Sequence, residues 1–240
     1  MNGSFLTILL SGILTVIGMP RAHSEQKGEP FVGRTALARF ETVDYGGGPV
    51  REMTLLDGRM MGTNLLYIKR GVIPPKNGIG EHRHERIEEM YIALNAPAEF
   101  TVNGRTAHLP AGASAVCPPG SSHALYNGGD TPLEFMTVAV AKKKGVDDGV
   151  IRYGPLPSRP MLESPAPFRW AQFDRTLLKP VGPAHKGKGL ILNRRPWLDG
   201  AFETNWVRVG HCILPPGTSI GYHLHDGMEE VYCILSGNGR

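Results

Sequence analysis

Cysteine is scarce in this chain, with three residues in 240: Cys117, Cys212 and Cys233. None forms a Cys-x-x-Cys pair, so neither a zinc ribbon nor a thioredoxin-type redox site is supported. Cys212 and Cys233 have the option of pairing in an oxidising compartment; buried free thiols are the simpler reading. A strong charge of one sign is also lacking. The formal net charge is +4, and the densest basic run, Lys142-Lys143-Lys144, reads as a solvated surface ahead of a loop. There is no zinc-finger spacing and no basic strand studded with aromatics, so nucleic acid is not an expected partner. No segment carries a long helical period, which argues against a helical fold.

What is abundant is glycine (31) and proline (20), a composition that favours many turns. The N-terminus stands apart. "FLTILLSGILTVIGM" (5–19) is apolar, about as long as a signal-peptide core and short for a membrane span. "AHS" (22–24) offers small residues for cleavage after Ser24, although no Lys or Arg precedes the apolar run. Residues 1–24 are therefore read as a signal peptide, with a secreted or periplasmic mature chain. The alternative is an uncleaved N-terminal membrane anchor; without it no stable membrane partner is expected.

The rest of the chain contains a repeat. "NLLYIKRGVIPPKNGIGEHRHERIEEMYIAL" (64–94) aligns without a gap on "NWVRVGHCILPPGTSIGYHLHDGMEEVYCIL" (205–235), so that residue 82 falls on residue 223, an offset of 141. Asn64/Asn205, the Pro-Pro pairs, Gly80/Gly221, both His-x-His pairs and both Glu-Glu pairs coincide. "LLDG" (55–58) and "WLDG" (197–200) echo each other upstream, as do "RFE" (39–41) and "QFD" (172–174). The reading is a first domain over 30–145, a proline-rich linker over 146–167 and a second domain over 168–240.

The local signal is strand. "TNLLYIKRGVI" ends at Pro-Pro, "EMYIAL" and "EVYCIL" are short apolar runs, and Asn103-Gly104 joins two strand-like runs as a hairpin turn. Turns at short intervals predict an all-β sandwich or small barrel. In a strand His82 and His84 project from one face. After a tight turn, one of Glu88 and Glu89 faces the same interior. Glu89 shares its face with Tyr91, while Met90, Ile92 and Leu94 form the opposite one. Two imidazoles and a carboxylate converging in an apolar barrel are what a divalent metal requires. A further histidine, His123, follows a Pro-Pro-Gly turn in "GASAVCPPGSSHALYN" (112–127).

These residues resemble the cupin superfamily. Its second motif, G-x5-PxG-x2-H-x3-N, is matched at every position by Gly112, Pro118, Gly120, His123 and Asn127. His82, His84 and Glu89 match the metal-binding core of its first motif. The two glycines that flank that motif fall on Lys76 and Ala96, both turn positions. The resemblance implies tandem jelly-roll barrels, with one divalent ion held by His82, His84, Glu89 and His123. In the second copy Gly217, His223, His225, Glu230 and Gly237 match the whole first motif, and a second, weaker site of three ligands, His223, His225 and Glu230, is implied. The first copy runs on for about fifty residues past the equivalent point, on a barrel's usual scale a further set of strands. The second barrel is thus read as truncated at the C-terminus. A fragment of a longer two-cupin protein, a partner chain that completes the barrel as a homodimer, and cover from N-terminal strands all fit this reading.

His108, His185 and His211 have no ligand-spaced partners. Tyr67, Tyr91 and Tyr126 are read as packing or as donors behind the ligands, and Glu88 as an exposed hairpin charge. No role is assigned to Glu134. Three neutral imidazoles and one carboxylate around M²⁺ leave a net charge of +1 and, in an octahedron, two neighbouring open positions. That suits a small anionic oxygen chelate. Fe, Mn, Zn, Ni and Cu all suit the donor set. The expected function is that of a metal-dependent oxidoreductase, a dioxygenase or oxalate decarboxylase-like bicupin, acting on a small oxygen-rich organic acid. A redox-neutral isomerase or lyase, and a non-catalytic small-molecule-binding cupin, are the alternatives.

Overall fold

The computed structural model describes residues 13–18 (backbone only), 40–146, 149–154 and 166–238. Seventeen strands make up the described fold: β1 (Ile13–Gly18), β2 (Glu41–Asp44), β3 (Pro49–Asp57), β4 (Leu65–Ile73), β5 (Gly78–Arg83), β6 (Ile87–Ala93), β7 (Ala98–Val102), β8 (Arg105–Leu109), β9 (Ala113–Cys117), β10 (Ser122–Tyr126), β11 (Leu133–Ala141), β12 (Ile151–Gly154), β13 (Trp170–Gln172), β14 (Lys179–Val181), β15 (Ile191–Trp197), β16 (Trp206–Ile213) and β17 (Glu229–Ile234). Among the described residues the helical segments are three-residue 3₁₀ turns. The all-β class expected from the sequence is the class observed.

The first unit closes two sheets on each other. One has the order β12-β5-β10-β7-β8 and the other β13-β9-β6-β11-β4-β3-β2. All pairings given for these sheets are antiparallel. Their inner faces bury Ile73, Ile79, Tyr91, Phe100, Leu125 and Phe135 as one apolar core. The β7–β8 turn is the expected hairpin: Asn103 and Gly104 both have positive φ, 50° and 71°, the left-handed geometry that a two-residue turn matched to strand twist requires. β4 stops where Pro74-Pro75 removes two backbone donors. The freed carbonyls do not go to waste. The buried Asn127 amide donates to the carbonyls of Ile73, Pro74 and Thr131 at 3.0, 3.2 and 2.8 Å, and its oxygen accepts from the Gly129 amide.

β6 is buried on both faces. Its inner face belongs to the barrel. Its outer face meets the second unit, in a core that runs without a break from Ile68, Met90 and Ile92 to Trp197, Trp206 and Val209. A strand covered on both sides reads as a continuous apolar run, which is how "EMYIAL" looks.

The second unit contributes one sheet, β14-β15-β16-β1-β17. β16 and β17 are the repeats of β4 and β6, which in the first unit flank β11. In the second unit β1 takes that place, antiparallel to both neighbours. Its register repeats that of β11. Phe135 faces Gly71 and Ala93; Ile13 faces Cys212 and Ile234, the same two positions 141 residues on. The bulge recurs at the same step, Ala139/Val140 in one case and Ile17/Gly18 in the other. Cover from an N-terminal strand is thus what the fold displays. Because β1 lies between them, Cys212 and Cys233 are two strand spacings apart, about 9.5 Å, beyond disulfide reach; both are free thiols, as is Cys117.

Two boundaries differ from the sequence reading. Residues 151–154, expected in the linker, form β12 on the edge of β5. β13, expected in the second domain, pairs with β9 of the first. Short strands of this kind are created by a free sheet edge rather than by their own residue pattern. The rest of the expected linker, 155–165, lies outside the described residues.

Candidate metal centre

The register of three strands brings the four expected ligands together. β10 lies beside β5 so that His123 is directly opposite His82. His84 follows on the same face just past the end of β5, and β6 supplies Glu89 from the facing sheet. All four are buried, with exposures of 1–7%. Glu89 Oε2 lies 2.6 Å from His123 Nε2, 3.6 Å from His82 Nε2 and 3.8 Å from His84 Nε2. The four donor atoms all fall within 4.8 Å of one another. Ligands about 2.1 Å from a shared ion are about 3–4.2 Å apart; the observed spacings, from 2.6 Å to at most 4.8 Å, straddle that range, so side-chain adjustments of about an ångström or less bring the donors around a divalent cation.

The orientation of the rings is prepared from behind. His82 Nδ1 donates to the Gly80 carbonyl at 2.8 Å, which leaves the Nε2 lone pair facing the centre. The Tyr67 hydroxyl donates to Glu89 Oε1 at 2.6 Å and so leaves Oε2 for the centre. Burial, and then the Glu89 charge, push the Tyr67 phenol well above its usual range, so it stays a donor. Tyr67 is therefore the donor behind a ligand, whereas the Tyr91 ring packs 5.6 Å from that of His123.

Burial works against ionising Glu89, but the hydrogen bonds and charges of His123 and His82 outweigh it and hold the carboxyl well below the usual range. Burial also pulls His123 down, against the opposing pull of Glu89, so it remains the neutral imidazole that a cation needs. His82 is pulled down by burial and more strongly raised by Glu89.

The comparisons follow the same residues. The family model described as "Cupin domain" matches residues 70–139. An oxalate-binding protein from Thermotoga maritima is 31% identical over 102 residues, which cover 42% of this chain and 84% of that protein. The chain belongs to the cupin family. A solved structure described as a predicted oxalate decarboxylase, also from T. maritima, is 31% identical; the match spans 46% of this cupin and 99% of that chain, with a TM-score of 0.44. A mannose-1-phosphate guanylyltransferase from Salmonella montevideo is 31% identical over 86 residues, only 18% of its length.

The second copy of the His-x-His and Glu pattern places its three predicted donors together as well. His223 Nε2 is 3.1 Å from His225 Nε2, and Glu230 Oε2 lies 3.4 and 3.0 Å from the two rings. His223 Nδ1 meets the Gly221 carbonyl at 2.8 Å, the counterpart of the His82–Gly80 bond. This centre is more open: its side chains are 12–21% exposed. The sequence assigned His185 no partners, yet its ring stacks flat on His223, centroids 3.8 Å apart and planes within 6°. His108 is exposed, and His211 is buried with its ring edge on Phe173. Glu134 pairs with Arg70 away from either centre.

Glu88 corrects an expectation. It is fully buried rather than exposed. Its carboxylate accepts from the backbone N–H of Glu203 and Thr204 and from the Thr204 hydroxyl. The signal for this was the Glu-Glu pair itself: neighbouring residues on a strand covered on both sides must bury both carboxylates, one in each direction.

Proposed function

We propose that this cupin is a metal-binding bicupin whose first unit holds one divalent ion on His82, His84, Glu89 and His123 and takes a small oxygen-rich organic acid. The observation that carries the reading is the convergence of those four buried donors within 4.8 Å. Three imidazoles and one carboxylate leave a divalent ion with a net positive charge, which favours an anionic oxygen ligand over a neutral one. When bound, such an ion supplies Lewis-acid polarisation and a fixed anchor for a chelating oxygen. The protein residues do the rest. Gly80 and Tyr67 fix the orientations of His82 and Glu89, and the apolar barrel behind them, with Phe100, Leu125 and Phe135, keeps water out of the centre. The Arg152 guanidinium, on the strand paired with His82 and 5.5 Å from the Tyr45 ring, adds positive charge at this edge of β5.

The reaction proposed first is oxidoreductase chemistry, a dioxygenase or oxalate decarboxylase-like conversion. A second reading, non-catalytic binding of the same class of ligand, draws on the T. maritima relative, which is described as an oxalate-binding protein. Elemental analysis of the purified chain, followed by calorimetric titration with oxalate and related dicarboxylates, tests the site. Expected are about one divalent ion at the first centre and ligand binding that disappears on chelation. Equal metal content in the native chain and in His82→Ala sinks the ligand assignment. Oxygen uptake or CO₂ release on the same acids then separates the two readings, because a pure binder returns its ligand unchanged. We further propose that the chain works outside the cytoplasm, on the strength of the apolar run at 5–19 and the Ala-His-Ser that follows.

A further inference from the structure

The two units touch through a surface that each contributes in the same way. Glu88 of the first accepts from Glu203 N at 2.9 Å, Thr204 N at 3.1 Å and Thr204 Oγ1 at 2.6 Å. Glu229 of the second accepts from Gly62 N at 2.7 Å and Thr63 N at 2.8 Å. Every partner in one set is displaced from its counterpart in the other by the repeat offset of 141: 88 and 229, 62 and 203, 63 and 204. The apolar part obeys the same rule, since Leu65 and Trp206, Ile68 and Val209, Met90 and Val231 all enter one shared cluster. A contact made twice, with the roles exchanged, is the signature of a two-fold, isologous interface, here folded into a single chain.

The position of the two carboxylates gives that interface a second consequence. Glu88 and Glu89 are neighbours on β6, and Glu229 and Glu230 on β17, so their side chains leave opposite faces of the same strand. One points into a proposed metal centre and the other into the opposite unit. A carboxylate held by consecutive backbone N–H groups and a hydroxyl is a strong, geometrically specific anchor.

We propose that Glu88 and Glu229 are positioning residues that tie each centre to the opposite unit, each being gripped by that unit's turn and each fixing the strand that carries the adjacent carboxylate ligand. The proposal rests on the assignment of Glu89 and Glu230 as ligands. Its distinctive consequence is that a residue of the second unit, Thr204, tunes the first centre, although it contacts no ligand of that centre.

The test uses the full chain with the second centre silenced by His223→Ala and His225→Ala. On that background Thr204→Val removes the hydroxyl donor, and Thr204→Ser restores it. Amide hydrogen exchange across 87–93 is expected to rise about tenfold in the valine variant, for loss of one charge-assisted bond, and to return in the serine variant. The Mn²⁺ dissociation constant is expected to rise about three- to tenfold in parallel. Glu229→Gln, in a chain that keeps both centres, is the mirror experiment and is expected to loosen 229–234 while leaving 87–93 protected. Unchanged exchange across 87–93 in a folded Thr204→Val chain overturns the proposal, as does a valine defect that serine fails to rescue. A parent chain that takes up no Mn²⁺ overturns the metal reading instead, and the exchange result still decides whether Glu88 positions β6.

Discussion

The segments 78–83 and 219–224, GIGEHR and SIGYHL, occupy the same place in the repeat, yet one is a strand and the other is not. In the first unit β10 and β12 pair with both edges of the segment, and its residues are mostly buried. In the second, the described residues show no strand pairing there, and Tyr222 and Leu224 are exposed. The candidate donors are nonetheless gathered in both. The difference teaches that the His-x-His and Glu spacing suffices to bring three donors together, whereas burial and the strand itself come from neighbours. What the neighbours add is rigidity and a fourth donor, His123, from β10.

The sharpest way to break this comparison is to remove donors from one unit at a time. His123→Ala or His84→Ala is expected to cut high-affinity metal uptake at the first centre by about 100-fold or more, because a ligand rather than an outer support is lost. The paired change His223→Ala/His225→Ala is expected to leave that uptake within about twofold. Metal titration of the two variants, with elemental analysis of the purified chains, makes the check. Equal losses would mean that the units do not differ as their burial says.

The next largest effect concerns β1, which gives β16 and β17 what β11 gives β4 and β6. Deleting residues 1–24 is expected to raise amide exchange across 206–213 and 229–234 by about 100-fold, since each strand then keeps an unpaired edge. β4 and β6 should keep their protection. Processing after Ser24 and retention of β1 exclude one another, so the intact mass of the exported chain decides which form carries the second unit. Protection of 229–234 that is indifferent to the deletion would show that β1 is not the strand that covers it.

Much of the first centre was legible in the sequence: strand parity and a tight turn convert spacing directly into shared direction for His82, His84 and Glu89, whereas His123, which arrives by the pairing of β10 with β5, was expected only from the resemblance to the cupin motif. The all-β class and the hairpin at Asn103-Gly104 were legible in the same way. What escaped depended on contacts between distant segments. Glu88 looked like a hairpin charge because its donors lie 115 and 116 residues away. The pairing of β1 with β16 and β17 was not legible either, because an apolar run of that length is the same pattern in a membrane-targeting segment and in a strand. β12 and β13 were hidden in or beside a proline-rich stretch because an open sheet edge, not their own composition, makes them strands.

Within the first unit, Asn127→Ala removes the hydrogen bonds donated to two carbonyls at the end of β4 and to that of Thr131, and one acceptor for Gly129. A loss of about 2–4 kcal/mol is expected, because buried carbonyls are left unpaired. Denaturant unfolding followed by the first unit's signals measures it; a loss under about 0.5 kcal/mol would mean that water replaces the amide.

The smallest effect expected separates positioning from ligation within one centre. Tyr67→Phe deletes only the hydroxyl that holds Glu89 Oε1, and the ring keeps its packing. Glu89 retains its contact with His123, so the centre should still form, with metal affinity lowered about three- to tenfold. In the second unit the position equivalent to Tyr67 is Arg208, and the phenol that hydrogen-bonds the carboxylate there is that of Tyr232, on the same strand as Glu230. Arg208→Tyr is accordingly expected to leave the first centre unchanged, and the two variants together ask whether the place from which the phenol reaches the carboxylate accounts for part of the difference between the centres. If Tyr67→Phe binds metal as the native chain does, the hydroxyl is a bystander. The contrast then rests on burial and His123 alone.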